Sequence, residues 1–148
     1  MKVLFLHGLE SKPGGTKSIY LKDKGHQVLD PSLPKSSFPE SVEIAQREVD
    51  KEKPDIIVGS SRGGAVAMAV NPRGARLVLV APAWKNYGVS PSVPAGTIIL
   101  HSTADDLIPY KDSQQIKGAS AVVPVGDGHR MSDQEALIAI ARAVQGGF

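Results

Sequence analysis

Short apolar runs recur along the chain, and most are continuously apolar rather than alternating with polar residues. Strands that are buried on both faces have this pattern, which is typical of a parallel sheet. The runs predict six strands, at residues 3–6, 27–29, 56–58, 77–80, 97–100 and 121–125. Because Pro124 cannot donate a backbone hydrogen bond, we expect the last strand to lie at an edge of the sheet.

Helical patterns separate these runs, with start and stop signals at most of their ends. They predict helices at residues 16–24, 40–53, 62–70, 110–117 and 132–145. Ser132 and Glu135 have the spacing of a capping box at the start of the last helix. Alternating strands and helices predict an α/β fold of three layers, with right-handed crossovers. The Pro- and Ser-rich stretch 31–39 is too short to link two domains, so residues 1–148 are expected to form one domain.

The composition excludes several classes of function. The 17 Lys and Arg residues nearly balance the 15 Asp and Glu residues and are scattered, which argues against a nucleic-acid surface. The absence of cysteine excludes disulfides, thiolate metal sites and a cysteine nucleophile. No apolar run approaches the roughly 20 residues that span a bilayer, and the start lacks a signal-peptide pattern. We therefore expect a cytoplasmic protein without membrane association.

The segment that follows the third strand carries the most visible motif. Gly59-Ser60-Ser61-Arg62-Gly63 matches G-x-S-x-G and lies between a predicted strand and a predicted helix, the context that this motif requires. In such a turn Ser61 exposes its hydroxyl as a nucleophile, and glycines avoid collisions with the adjoining backbone. The alternative is a Gly-rich strand-to-helix turn in which the serines are incidental.

A nucleophilic serine needs a base, and the base needs an acid that orients it. Asp105 follows the fifth predicted strand and His129 follows the sixth. The chain order Ser61, Asp105, His129 is the order found in hydrolases that have the serine on a strand-to-helix turn. The alternatives are that the aspartates at 105 and 106 only favour a turn before the next proline, and that His129 is a solvated loop residue.

An acyl-transfer site also needs donors for the oxyanion of the tetrahedral intermediate. The backbone N–H after the nucleophile, that of Arg62, is the first candidate. The second should come from the loop after the first strand, where we choose the N–H of Leu9. His7, in the same loop, is interpreted as a structural residue that positions the loop, and His101 is also interpreted as structural.

The side chains around this site are harder to assign. The Arg62 side chain could meet an anionic group in the cleft, or form a structural ion pair with Glu10 or Asp105. Four apolar side chains could line the substrate pocket, or could cover a small core: Phe38, Trp84, Tyr87 and Met131. Since little chain separates the fourth and fifth strands, we predict an open, shallow site that favours small or exposed acyl groups.

Together these residues resemble the α/β-hydrolase superfamily, and within it the small, capless bacterial esterases. The matching segments are HGLESKPGGTKSIYLKDKGHQV, GSSRGGAVAMA, LVLVAPAW, HSTADDLIP and GDGHRM. The resemblance implies six parallel strands in the order 2-1-3-4-5-6, without a lid domain. It also implies an acid motif with an Asp four residues before a Pro, which selects Asp105 over Asp106. The implied reaction is acyl transfer to water through an acyl-serine.

We therefore expect a serine hydrolase that cleaves a small-molecule carboxylic ester or thioester and uses no metal or organic cofactor. One alternative is a hydrolase-like protein that binds a small molecule without turnover. Another is a flavodoxin-like phosphate or nucleotide binder, although the chain lacks G-x-x-x-x-G-K-[ST], and G-x-G-x-x-G after the first strand. The pattern specifies neither the acyl group nor an oligomeric state.

Overall fold

The computed structural model describes residues 1–148 and contains six strands, five α-helices and one 3₁₀ turn. The strands are β1 Lys2–Leu6, β2 Gln27–Leu29, β3 Ile56–Ser60, β4 Arg76–Val80, β5 Ile98–His101 and β6 Ala121–Pro124. The helices are α1 Thr16–Asp23, α2 Phe38–Glu52, α3 Arg62–Ala69, α4 Tyr110–Gln114 and α5 Gln134–Val144. The predicted alternation of strands and helices is therefore confirmed.

The six strands form one sheet in the order β2-β1-β3-β4-β5-β6, and all neighbouring strands are parallel. This is the order that the resemblance implies. β6 lies at one edge, where Pro124 pairs with His101 of β5, so the edge position expected from the proline is confirmed. β2, at the other edge, has only three residues.

Two apolar cores lie on the two faces of the sheet, because successive side chains of a strand point to opposite faces. In β1, Val3 and Phe5 join the core that contains residues of α5, whereas Leu4 and Leu6 join the core that contains residues of α2 and α3. Both faces are thus covered by helices, which explains why the strand segments are continuously apolar. The three-layer architecture follows from this arrangement.

The starts of two helices differ from the prediction by local capping chemistry. Helix α2 begins at Phe38 rather than residue 40, because the Ser37 side chain accepts the N–H of Glu40. Helix α5 begins at Gln134, and its N-cap is Asp133, whose carboxylate accepts the N–H of the third helical residue. The capping box predicted at 132 and 135 does not form, since the aspartate takes the capping position.

The connection between β4 and β5 is short and holds a single 3₁₀ turn, Trp84–Tyr87, which the sequence pattern did not predict. No lid domain is inserted between these strands, in agreement with the resemblance. The carboxyl ends of β4 and β5 are therefore not covered by a lid at this connection. None of the helices is both long and apolar enough to cross a bilayer.

The turn between β3 and α3 packs tightly against β1. A Cβ added at Gly63 would overlap the carbonyl oxygen of Leu6 and lie 2.7 Å from that of His7. Glycine at position 63 thus lets the first turn of α3 approach the end of β1, which places the helix N-terminus beside the loop that follows β1.

Replacing Gly63 with alanine should destabilise the fold by about 3 kcal/mol, since the added methyl meets backbone that cannot move aside. Urea unfolding followed by circular dichroism measures this change. Gly128→Ala is a matched control, because a Cβ at position 128 has no atom within 4 Å. Equal unfolding midpoints for the two variants would contradict the packing at Gly63.

Candidate active site

Ser61 lies in the sharp turn where the chain passes from β3 into α3. Its backbone has φ 57° and ψ −115°, a combination that residues other than glycine rarely adopt. The Ser61 N–H donates to the carbonyl of Val80, and its carbonyl accepts from the N–H groups of Gly64, Ala65 and Ala83, at 2.9–3.2 Å. Neighbouring backbone on both sides thus supports the strained turn, which places Ser61 on the wall of a cleft.

His129 links Ser61 to Asp105. Its Nε2 lies 3.0 Å from Ser61 Oγ, and its Nδ1 lies 2.7 Å from Asp105 Oδ2. Because a carboxylate only accepts hydrogen bonds, Nδ1 carries the proton and Nε2 faces the serine hydroxyl with its lone pair. The structure therefore brings together the three residues predicted as catalytic, although 68 positions separate Ser61 from His129. In this geometry the hydroxyl can pass its proton to the imidazole.

The Asp105 carboxylate is fully buried and receives four hydrogen bonds. Oδ1 accepts the backbone N–H groups of Leu107 and Ile108, each at 2.9 Å, while Oδ2 accepts from His129 and, at 3.0 Å, from His101. Burial alone would raise the pKa of Asp105, but the Ile108 N–H, then His129 and the Leu107 N–H, outweigh it and lower that pKa below its usual range. The carboxylate is thus held as a fixed negative charge beside the imidazole.

His101, at the end of β5, contacts the acid directly. Its ring is fully buried, with Nε2 3.0 Å from both Asp105 Oδ2 and the carbonyl oxygen of Ile108, and Nδ1 2.7 Å from Ser113 Oγ. Since Nε2 faces two acceptors, it carries the proton, and the Ser113 hydroxyl donates to Nδ1. His101 therefore orients Asp105, a role beyond the general structural one expected for it. The sequence feature that could have indicated this role is a titratable residue at the end of an otherwise apolar strand.

The residues predicted to supply the oxyanion donors lie in two segments close to Ser61, the start of α3 and the loop after β1. Arg62 is the first residue of α3, so its N–H has no partner within the helix and lies at the positive end of the helix dipole. Leu9 lies in the loop after β1, and both residues line the same cleft as Ser61. A Cβ at Gly8 would lie 3.4 Å from Ser61 Cβ. The loop that contains Leu9 thus lies close to Ser61.

His7 holds this loop in place. Its ring is buried, and Nδ1 lies 2.8 Å from the carbonyl oxygen of Gly8, to which it donates. Nε2 accepts the backbone N–H of Leu33 at 3.0 Å. The two bonds connect the loop after β1 to the Pro-rich stretch, in agreement with the structural role expected for His7.

The cleft around Ser61 has a volume of about 790 Å³, and few of the residues that line it are hydrophobic. Of the four apolar side chains considered for the pocket, only Tyr87 lines it. Met131 is fully buried in the core beneath α5, and Trp84 is buried on the other face, where its indole N–H donates to the Asp112 carbonyl. Phe38 stacks on Tyr87 with ring centroids 4.9 Å apart. Phe38, Trp84 and Met131 therefore take the alternative role considered for them and pack in the cores rather than line the cleft.

The Arg62 side chain takes neither of the two expected roles. It is only 2% exposed, so it does not reach into the cleft, and it forms no ion pair with Glu10 or Asp105. Its guanidinium donates to Ser41 Oγ and to the Pro34 carbonyl, at 3.1 and 3.0 Å. The same group lies 5.6 Å from the ring centroids of both Phe38 and Tyr87. Arg62 thus fastens α3 to the Pro-rich stretch through neutral partners and aromatic faces.

The parallel sheet in this strand order, with a strained serine between β3 and α3, defines the α/β-hydrolase fold. No family model matches the sequence, and a search of curated proteins found no match. Comparison with solved structures found many proteins of similar fold.

α/β-Hydrolase domain-containing protein 10 from mouse has a TM-score of 0.79 and 15% identity, covering 97% of this chain and 88% of that one. A hydrolase of the α/β superfamily from Xanthomonas campestris has a TM-score of 0.72 and 24% identity, covering 96% and 93%. A monoacylglycerol lipase from Paleococcus ferrophilus has a TM-score of 0.72 and 16% identity, covering 97% and 91%. At these identities the likeness shows the fold.

Proposed function

We propose that this protein is a serine hydrolase that cleaves small carboxylic esters or thioesters. The observation that carries the proposal is the continuous chain of contacts from Ser61 Oγ through His129 to the buried, ionised Asp105. Such a chain activates a serine for attack on an acyl carbonyl. The hydrolase and the lipase among the proteins of similar structure are consistent with it. No metal or organic cofactor is required for this chemistry.

In the first half of the reaction, Ser61 Oγ attacks the carbonyl carbon and its proton passes to Nε2 of His129. The negative charge that develops on the carbonyl oxygen is stabilised by the N–H groups of Leu9 and Arg62. The bond to the leaving oxygen or sulfur then breaks, and His129 returns the proton to the leaving group. The acyl group remains esterified to Ser61.

In the second half, water attacks the acyl-serine while His129 takes one of its protons. Collapse of the tetrahedral intermediate releases the carboxylic acid and gives the proton back to Ser61 Oγ. Asp105 keeps its charge throughout, and this charge stabilises the imidazolium form of His129 in both halves. The open cleft, with Leu9 and Leu107 as its exposed apolar side chains, favours small acyl groups.

Covalent labelling tests the proposal directly. A fluorophosphonate probe should modify the wild-type protein at Ser61, because only an activated serine attacks the phosphorus centre. Peptide mass spectrometry identifies the labelled residue. Ser61→Ala should abolish labelling, whereas the neighbouring Ser60→Ala should leave it intact. A wild-type protein that stays unlabelled would instead favour the alternative of a hydrolase-like binding protein without turnover.

Replacing His101 with leucine should lower kcat for ester hydrolysis by roughly 10- to 100-fold, the usual value of a hydrogen bond to a charged group. His101→Gln can keep an N–H near Asp105 and should recover much of the rate. Because His101 does not touch substrate, KM should be little changed in both variants. Equal kcat values for the leucine and glutamine variants would contradict the role of the His101 hydrogen bond in orienting Asp105.

A further inference from the structure

Two cations of the cleft lie on the His129 side. Lys17 is the second residue of α1, and its ammonium donates to the carbonyl of Arg130, the residue that follows His129. Both Lys17 and Arg130 line the cleft around Ser61. Burial, and then the charge of Arg130, lowers the pKa of Lys17 to about 8, so at neutral pH most of the molecules carry both positive charges.

No carboxylate neutralises this pair. Neither Lys17 nor Arg130 has an Asp or Glu oxygen within 4.0 Å. Glu10 and Asp106 also line the cleft, but they are exposed and form no ion pair with either cation. Repulsion between the two cations contributes to the lowered pKa of Lys17, and an anion bound by both would relieve it. The start of α1 adds no negative charge, since its first turn contains no acidic residue.

The position of Lys17 and Arg130 relates them to the leaving group of the substrate. The leaving oxygen must come within hydrogen-bond distance of His129 Nε2 to receive its proton. Arg130 is the next residue, and Lys17 is bonded to the Arg130 carbonyl. Arg130 is therefore adjacent to the proton donor of the leaving group, and the contact with its carbonyl brings the Lys17 ammonium to the same side of the cleft, although Lys17 follows the loop that carries Leu9 in the chain.

We propose that the leaving group of the substrate carries an anionic oxygen group such as a carboxylate, which Lys17 and Arg130 bind. This inference rests on the proposed hydrolase function and specifies the substrate class of the same site. Charge-assisted hydrogen bonds from the two cations would orient the leaving oxygen toward His129.

Three nitrophenyl esters test this. The first is a nitrophenyl acetate with a carboxylate on its ring, the second is the methyl ester of that carboxylate, and the third is nitrophenyl hemisuccinate, with the carboxylate on the acyl side. After correction for uncatalysed hydrolysis, the wild type should cleave the first with a kcat/KM roughly tenfold above the other two. In Lys17→Met and Arg130→Met, the kcat/KM for the first ester divided by that for its methyl ester should fall toward one. Lys22→Met, at an exposed position of the same helix, should keep the wild-type ratio.

Equal kcat/KM values of the wild type for the first two esters would overturn the inference while leaving the proposed hydrolase function intact. A preference for the hemisuccinate would overturn the assignment to the leaving group. If no ester is cleaved, the proposed function fails, and calorimetry on Ser61→Ala with the carboxylated nitrophenol then decides the anion site. The anion site is supported if adding Lys17→Met to Ser61→Ala weakens binding of the carboxylated nitrophenol roughly tenfold. It is contradicted if Ser61→Ala binds this nitrophenol no more tightly than the methyl ester of the same nitrophenol.

Discussion

Replacing Ser61 with alanine should lower kcat/KM for short nitrophenyl esters by about 10³- to 10⁶-fold. The alanine removes the nucleophile but keeps the Cβ, so the strained backbone at φ 57° gains no further cost. The backbone bonds that hold the turn use main-chain atoms and are unaffected. Initial rates at substrate concentrations below KM measure the loss, and circular dichroism shows that the variant remains folded.

The adjacent Ser60 gives this experiment its control. Ser60 is the last residue of β3 and lines the same cleft, so Ser60→Ala removes an equivalent hydroxyl one position away. Its kcat/KM should stay close to that of the wild type. Hydrolysis by Ser61→Ala at the wild-type rate would remove Ser61 from the mechanism.

Replacing Asp105 with asparagine should lower kcat by about 10⁴-fold. The amide oxygen will occupy the position of Oδ1, where it accepts the N–H groups of Leu107 and Ile108. The NH₂ group then replaces Oδ2 and donates toward Nδ1 of His129, which forces the imidazole proton onto Nε2. A protonated Nε2 cannot accept the Ser61 proton, so the serine loses its base although its position is unchanged.

Asp106→Asn is the matched control, because Asp106 is the exposed neighbour in the same loop. It should keep near-wild-type kcat in the same ester assay. If both aspartate variants lose activity equally, the loss reflects the loop and not the orientation of His129.

The lowered pKa of Asp105 also has a measurable effect on stability. A carboxylate with a depressed pKa stabilises the fold above the pKa of the unfolded chain, and this contribution is lost as the pH falls through the lower, folded value. Between neutral pH and about pH 3, the wild type should therefore lose more unfolding free energy than Asp105→Asn. Urea unfolding at both pH values checks the difference.

The sheet and the three residues of the proposed triad were predictable because a short sequence segment indicates each strand and each of these residues. Continuous apolar runs mark buried parallel strands, and the residues after the third, fifth and sixth runs are the ones that meet at the ends of parallel strands. Ser61, Asp105 and His129 therefore come together in the structure at 3.0 and 2.7 Å.

The contacts behind these residues were not predictable, because they depend on which side of a helix or loop each side chain takes. Arg62 could have reached an acid or the solvent, and only packing turns it toward Pro34 and the aromatic rings. Likewise, the sequence places Met131 beside His129, but its backbone directs the side chain into the core. The pairing of His101 with Asp105 requires the register of β5 to be known.

The sheet that carries this site has two short edges. β2 offers three residues, and in β6 the Pro124 nitrogen has no hydrogen to donate. A neighbouring chain that approached either edge would find few free backbone groups in a row, so it could not extend the ladder by more than a short stretch. The minimal size of the sheet thus protects it against edge-to-edge association without any added strand or cap.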